Sequence, residues 1–310
     1  MVSDLVGLAI VLGFLFGWNN GSILFGNLGG SGAESLRVAF AISVAGLILG
    51  VWLEGPKMYA GMVGSLAPST TETALLAVLL TTAVFTLLLT LLSLPVSFSM
   101  VMVAAFLGAS LSASIPINVE RSAEVVIFWF AAPLATAVLT LVAYAWITRL
   151  VARFGLLVVD SFNRAGSALS ALFVSYTLGA NNVGLILGSI GVNAAFPQGV
   201  EVSGAVALAA VVGTAVSTRS SVSGTIGDRM LSLSPQGVFT AFFASAALVW
   251  VGTQFAIPVS MTQCLLGGML GAAYTKSIAV LNRRLTAETV SVWVVAPVLA
   301  FLAAYLLVLI

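Results

Sequence analysis

Two asparagine pairs, Asn19-Asn20 and Asn181-Asn182, stand inside long apolar stretches, each among closely spaced glycines. An unsatisfied amide in an apolar environment is costly, so paired amides there point to a ligand. Gly17, Gly21, Gly26, Gly29 and Gly30 crowd the first pair, and Gly179, Gly184, Gly188 and Gly191 the second. Gly and Asn both weaken helices, so each stretch is predicted to break at its Asn pair. A break exposes the unpaired N–H groups of the following half-helix, whose N-terminus carries about half a positive charge. Two such ends facing each other would cradle an anion without any Arg. The glycines alone have a plainer reading, as points of close helix packing.

A second pair of elements follows. Pro95-Val96-Ser97-Phe98-Ser99-Met100 and Pro258-Val259-Ser260-Met261-Thr262-Gln263 each put Pro ahead of small hydroxyls. Pro suits the first helical turn and Ser or Thr suits the cap, so both mark helix starts inside apolar sequence. The hydroxyls of Ser97, Ser99, Ser260 and Thr262 can donate to an anion or coordinate a cation. Ordinary capping without a ligand is the alternative for each. Gly21 and Gln263 complete the candidate substrate-binding set with the four asparagines.

The rest of the chain supplies little reactive chemistry. Its 310 residues are 60% hydrophobic and 7% charged, with no His and a single Cys, Cys264. A soluble domain carries about 25% charged residues, so this composition cannot cover a water-facing surface. Without His there is no Ser-His-Asp or Cys-His unit, and no cluster of His and Cys to hold a metal. A net charge of +1 leaves no basic footprint for nucleic acid. The chain reads as a polytopic protein of the lipid bilayer. Met1-Val2-Ser3-Asp4 is acidic and the apolar run continues past Gly17, so this stretch reads as a first span rather than a cleaved signal.

Ten apolar segments are expected to position these residues, at 4–28, 36–52, 74–94, 96–112, 123–148, 165–192, 200–217, 237–257, 259–275 and 289–309. Most approach the roughly 20 residues a helix needs to cross a bilayer. Backbone polar groups must be satisfied inside lipid, and the segments do not alternate as barrel strands would, so they are predicted to be helices. If all ten cross, one side receives Arg37, Arg149, Arg153, Arg164, Arg219, Arg229, Lys276, Arg283 and Arg284. The other receives Lys57 and Arg121. The positive-inside rule then puts both termini outside the cytoplasmic membrane.

The two sets of motifs also recur in order. Gly17-Trp18-Asn19-Asn20 matches Gly179-Ala180-Asn181-Asn182 at an offset of 162, and the Pro-Val-Ser elements match at 163. Gly61-Met62-Val63-Gly64 matches Gly224-Thr225-Ile226-Gly227, and Leu107-Gly108-Ala109 matches Leu270-Gly271-Ala272. Trp129-Phe130-Ala131-Ala132-Pro133 matches Trp293-Val294-Val295-Ala296-Pro297 at 164. The order implies a duplication, residues 1–154 and 155–310. Five crossings per half is an odd number, so the halves would be inverted, an architecture of many secondary transporters.

On these motifs the chain resembles the inorganic phosphate transporter family. That family's signature is a Gly-Ala-Asn-Asp-Val-Ala-Asn-Ala element in each half followed by Pro-Val-Ser-Thr-Thr-His. Gly179-Ala180-Asn181-Asn182-Val183, the two Pro-Val-Ser elements and the Trp-to-Pro ending of each half are similar to it. The resemblance spans nearly the whole chain, without the long central loop of some members. It implies cation-coupled uptake of an oxyanion by alternating access, a site at two broken helices, and a homodimer. No cofactor is implied beyond sodium as a coupling ion, with Asn20, Asn182, Ser97 and Ser260 as its candidate ligands.

Three departures bear on the substrate. Asn20 and Asn182 stand where the family has Asp, Met100 and Gln263 where it has His, and hydrophobic residues replace the second Asn of the element. Phosphate carries a proton that a carboxylate can accept, whereas sulfate has none and suits neutral donors. Phosphate stands ahead of sulfate on the family resemblance, with a sulfate permease as the alternative. No charged residue lies mid-span, which speaks against a proton relay through a buried acid. A passive anion channel using the same dipoles is a further alternative. An intramembrane enzyme lacks a nucleophile with a base. Lys57 and Arg219 read as boundary charges, with attraction of an anion to a mouth as their second reading. Trp129 and Trp293 read as packing anchors and Cys264 as a small buried apolar residue.

Overall fold

A computed structural model describes residues 2–29, 36–61, 63–67, 70–94, 97–191, 199–217, 233–274 and 283–310. Pro95, Val96, Arg219 to Thr225, Arg229 and Lys276 lie outside them. The described residues form α-helices and contain no strand. All ten expected apolar segments hold a helix: α1 (Val2–Gly29), α2 (Leu36–Leu53), α5 (Glu72–Leu91), α6 (Phe98–Ser112) and α7 (Val119–Val151) in the first half. The second half has α8 (Leu156–Leu178), a π-turn (Gly179–Val183) leading into α9 (Gly184–Gly191), then α10 (Gly199–Ser217), α11 (Pro235–Gln254), α12 (Met261–Tyr274) and α13 (Arg283–Leu309). Two short helices, α3 (Gly55–Gly61) and α4 (Val63–Leu66), fill the turn between α2 and α5.

Seven of these helices are long and apolar enough to cross a membrane. The helices α6 and α12 are not. With 15 and 14 residues they rise only about 21–23 Å, against a hydrocarbon core of about 30 Å. The segments 96–112 and 259–275 are thus short helices preceded by non-helical backbone, rather than full spans.

Local sequence explains several helix starts. Thr71 caps α5 by accepting from the Ala74 N–H, Asn118 caps α7 from Arg121 N–H, and Ser234 caps α11 from Gly237 N–H with Pro235 as first residue. On α7, Phe130, Leu134 and Val138 are more than 60% exposed while Trp129, Ala132 and Thr136 are buried. One face of the helix therefore meets lipid and the other the protein interior.

Helix pairing crosses the chain midpoint. α1 packs on α10 and α2 on α8, while α6 packs on α13 and α7 on α12. Glycine makes these seams. A Cβ on Gly17 would stand 2.0 Å from the Ala210 carbonyl oxygen, and one on Gly179 2.2 Å from that of Leu47. Likewise a Cβ on Gly108 would stand 2.1 Å from the Phe301 carbonyl and one on Gly271 2.2 Å from that of Ala137. Backbones approach this closely only where one helix has no side chain, the usual solution for helices in lipid.

Candidate functional site

The asparagine pairs do not break their helices. α1 runs unbroken through Asn19 and Asn20, and the second pair sits in a π-turn that continues the helix axis. Packing overrides the weak helix propensity of Gly and Asn here. Gly17 and Gly21 face α10, where a Cβ on Gly21 would meet the Ser217 side chain at 2.6 Å. Gly21 therefore lies where α1 and α10 approach closely.

The interruptions lie after α5 and α11. Both helices end in the same C-terminal motif, with a left-handed residue just past the last turn. Ser93 has φ 58° and Ala256 φ 52°. The Leu94 N–H donates to Leu89 carbonyl oxygen (2.9 Å) and Ser93 N–H to that of Thr90 (3.0 Å). In the second corner Ile257 N–H donates to Gly252 (2.8 Å) and Ala256 N–H to Thr253 (3.1 Å). From these corners the chain runs to Ser97 and to Ser260, where α6 and α12 begin.

The first Asn of each pair fixes its corner. Asn19 Nδ2 donates to Thr90 Oγ1 (2.8 Å) and to the Leu94 carbonyl (3.4 Å). Asn181 Nδ2 donates to Thr253 Oγ1 (3.0 Å) and the Ile257 carbonyl (3.0 Å), with Met58 Sδ at 3.8 Å, and its Oδ1 accepts from Val259 N–H (3.1 Å). Asn181 thus spends its hydrogen-bonding capacity on the protein. Asn20 Nδ2 donates back to the Phe16 carbonyl (3.2 Å), and Phe16 packs edge-on against Phe98 at the start of α6. Each Asn element is brought to the Pro-Val-Ser element of its own half.

The two short helices begin differently. Ser260 caps α12, its Oγ accepting from Gln263 N–H (3.4 Å) and sharing a hydrogen bond with Thr262 Oγ1 (3.0 Å). Ser97 makes no such cap on α6. Its Oγ and that of Ser99 are buried without a partner among the described residues, as are Asn182 Oδ1 and Gln263 Oε1. A buried polar atom left unpaired costs about 1–3 kcal/mol. At α6 the unpaired hydroxyls coincide with the free N–H groups of a helix start, a setting that favours an anion. The two amide oxygens are acceptors, suited to a cation or to an acidic proton of a ligand.

Sequence reasoning missed Thr90 and Thr253, which stand in the last turns of α5 and α11 and are silent in an apolar sequence. It also missed what Lys57 does. Lys57 Nζ pairs with Glu54 (3.1 Å) and bonds Gln254, which agrees with a boundary charge over a free lure for anions. Arg121 donates to the Phe255 and Ala256 carbonyls (2.5 and 3.1 Å), holding the corner after α11 from the α7 side. Trp129 Nε1 donates to the Pro258 carbonyl (2.8 Å) in the same corner, so it positions backbone as a packing anchor. Cys264 is buried as a free thiol.

The family described as "Phosphate transporter family" matches the chain twice, over residues 16–165 and 157–304. The chain belongs to this phosphate transporter family. A relative from Methanocaldococcus jannaschii, "Putative phosphate permease MJ0630", is 26% identical over 300 residues, 95% of this chain and 92% of that protein. The Arabidopsis thaliana "Inorganic phosphate transporter 2-1, chloroplastic" is 30% identical over 147 residues, 44% of this chain and 25% of that one. The solved structure of "The sodium-dependent phosphate transporter" superposes with a TM-score of 0.80 at 16% identity, covering 99% of this chain and 98% of the other. The fold is thus that of a phosphate transporter, and its relatives are transporters and permeases rather than enzymes. Membership in this family, with the long apolar helices, makes the chain a multi-pass membrane protein.

Proposed function

We propose that this phosphate transporter family member carries phosphate across the cytoplasmic membrane by alternating access, driven by sodium. The observation that carries the reading is the start of α6, where Ser97 and Ser99 are buried, unpartnered hydroxyls on a helix N-terminus. In our reading these groups and the α6 N–H groups receive the anion, while Ser260 and Thr262 await it in a mutually bonded state. Asn182 Oδ1 and Gln263 Oε1 supply acceptors without formal charge. Such an acceptor takes a hydrogen bond from the O–H of monohydrogen phosphate and finds no such donor on sulfate, which supports phosphate despite the missing Asp residues. Asn20, Asn182, Ser97 and Ser260 are the oxygen donors we assign to sodium, a hard cation that such neutral oxygens can hold. Asn19, Asn181 and Gly21 serve as supports, not ligands.

We read the molecule as two inverted repeats, 1–154 and 155–310, with both termini outside and with two copies forming the working unit. The repeat reading is supported by matched geometry, such as Asn19 with Thr90 and Leu94 against Asn181 with Thr253 and Ile257. The test is uptake of labelled phosphate or sulfate into proteoliposomes, with and without an inward sodium gradient. Phosphate accumulation that requires sodium is the expected result. Sulfate moving while phosphate does not would overturn the substrate, and uptake that never exceeds electrochemical equilibrium would make the protein a passive channel.

A further inference from the structure

One polar cluster lies away from the candidate site and ties the two halves together. Glu54 occupies the corner between α2 and α3. Its Oε1 accepts from Trp250 Nε1 (3.3 Å) and pairs with Lys57 (3.1 Å), and its Oε2 accepts from Gln254 Nε2 (2.9 Å). The Lys57 ammonium also bonds the Gln254 side-chain oxygen, so the carboxylate, the ammonium and the amide form a closed ring. The Glu54 side chain is only 14% exposed, which strengthens these charge-assisted bonds relative to a free surface pair.

What the cluster grips is the last turn of α11. Gln254 is the neighbour of Thr253, which accepts from Asn181, and the next residues form the corner that leads to Ser260. Through this carboxylate, alongside Arg121 and Trp129 on α7, the first half of the chain therefore holds the segment of the second half that delivers α12 to the site. We propose that Glu54 is a latch: its bonds to α11 keep this end of the protein closed, and their release lets the corner at Phe255–Ile257 move so that the site meets water. Glu54 acts as a positioning residue that touches no substrate. Its role in transport rests on the reading proposed above.

The test uses the reconstituted protein with Cys264→Ala and a reporter thiol from Ile257→Cys, at a position buried in the latched structure. The rate of modification by a water-soluble maleimide is compared for Glu54, Glu54→Gln and, with the partner removed instead, Gln254→Leu. Charge-assisted bonds of this kind are worth enough that their loss should speed modification on the order of tenfold in both variants. Equal rates in all three proteins would overturn the latch. Phosphate uptake by the protein retaining Glu54 is measured alongside. Equal rates with sodium-driven uptake intact defeat the latch and leave the transport reading standing. Faster modification in a protein that moves no anion supports the latch and defeats the transport reading.

Discussion

The side chain of Asn181 reaches from the π-turn to the carbonyl of Ile257, 76 residues later, at 3.0 Å, while its oxygen takes the Val259 N–H at 3.1 Å. One amide thereby fixes both sides of Pro258, the residue around which the chain turns from α11 toward α12. Removing it leaves a buried carbonyl and a buried N–H unpaired, at about 1–3 kcal/mol each. Asn181→Ala is expected to lower the melting temperature of the purified protein and to weaken phosphate uptake together. A variant with full stability and normal uptake kinetics would refute the positioning role.

Ser97 and Ser99 should behave in the opposite way. Their hydroxyls bond nothing among the described residues, so Ser97→Ala and Ser99→Ala remove no internal hydrogen bond. Stability should hold or rise slightly, while the KM for phosphate rises by roughly an order of magnitude per hydroxyl, as expected for about 1.4 kcal/mol of lost binding. Thermal melting and uptake on the same preparations separate this pattern from that of Asn181. Unchanged KM in both variants would remove α6 from the substrate site.

The helix seams make a third prediction. Gly17→Ala would drive a methyl group to 2.0 Å from the Ala210 carbonyl, so α1 and α10 must separate. Overpacking of this kind costs about 1–3 kcal/mol. Gly7, with open space around it, is the internal control. Thermal melting in detergent should show a clear loss for Gly17→Ala and none for Gly7→Ala.

Ala256 offers a gain. It holds a left-handed backbone at φ 52°, a conformation that costs an L-residue about 1–2 kcal/mol and glycine almost nothing. Ala256→Gly should raise the melting temperature modestly, since Ala256 is small and buried and loses little packing. A drop in stability would show that its methyl group matters more than its backbone.

Much of the fold is legible in the residues themselves. Apolar runs such as Ala74–Leu92 have the length and non-alternating pattern of membrane helices, and Ser260 marks the start of α12 as its cap, while Pro258 stands outside the helix rather than in its first turn. The role of the asparagines is harder to read because it is tertiary. A side chain in a helix can satisfy its amide on a carbonyl far along the chain, as Asn19 does on Leu94, without disturbing the helix that carries it. Sequence shows the polar group and its cost, but not the direction in which it points. Glu54 was equally silent: a lone acid after an apolar helix looks like a boundary charge until Trp250 and Gln254 stand opposite it.

The crossed helix pairing has a mechanical consequence. The seams of α1 with α10, α2 with α8, α6 with α13 and α7 with α12 each join an early helix to a late one, and at their glycines the backbones stand so close that an added Cβ would fall about 2 Å from a carbonyl oxygen, which leaves little room for sliding. The rigid blocks of this protein are therefore woven from both ends of the polypeptide, and no hinge can follow the chain midpoint. A chain cut between α7 and α8, at Phe154-Gly155, has no separable halves. Its two fragments should remain locked together in detergent and run as one species on size exclusion, because neither has a complete surface of its own.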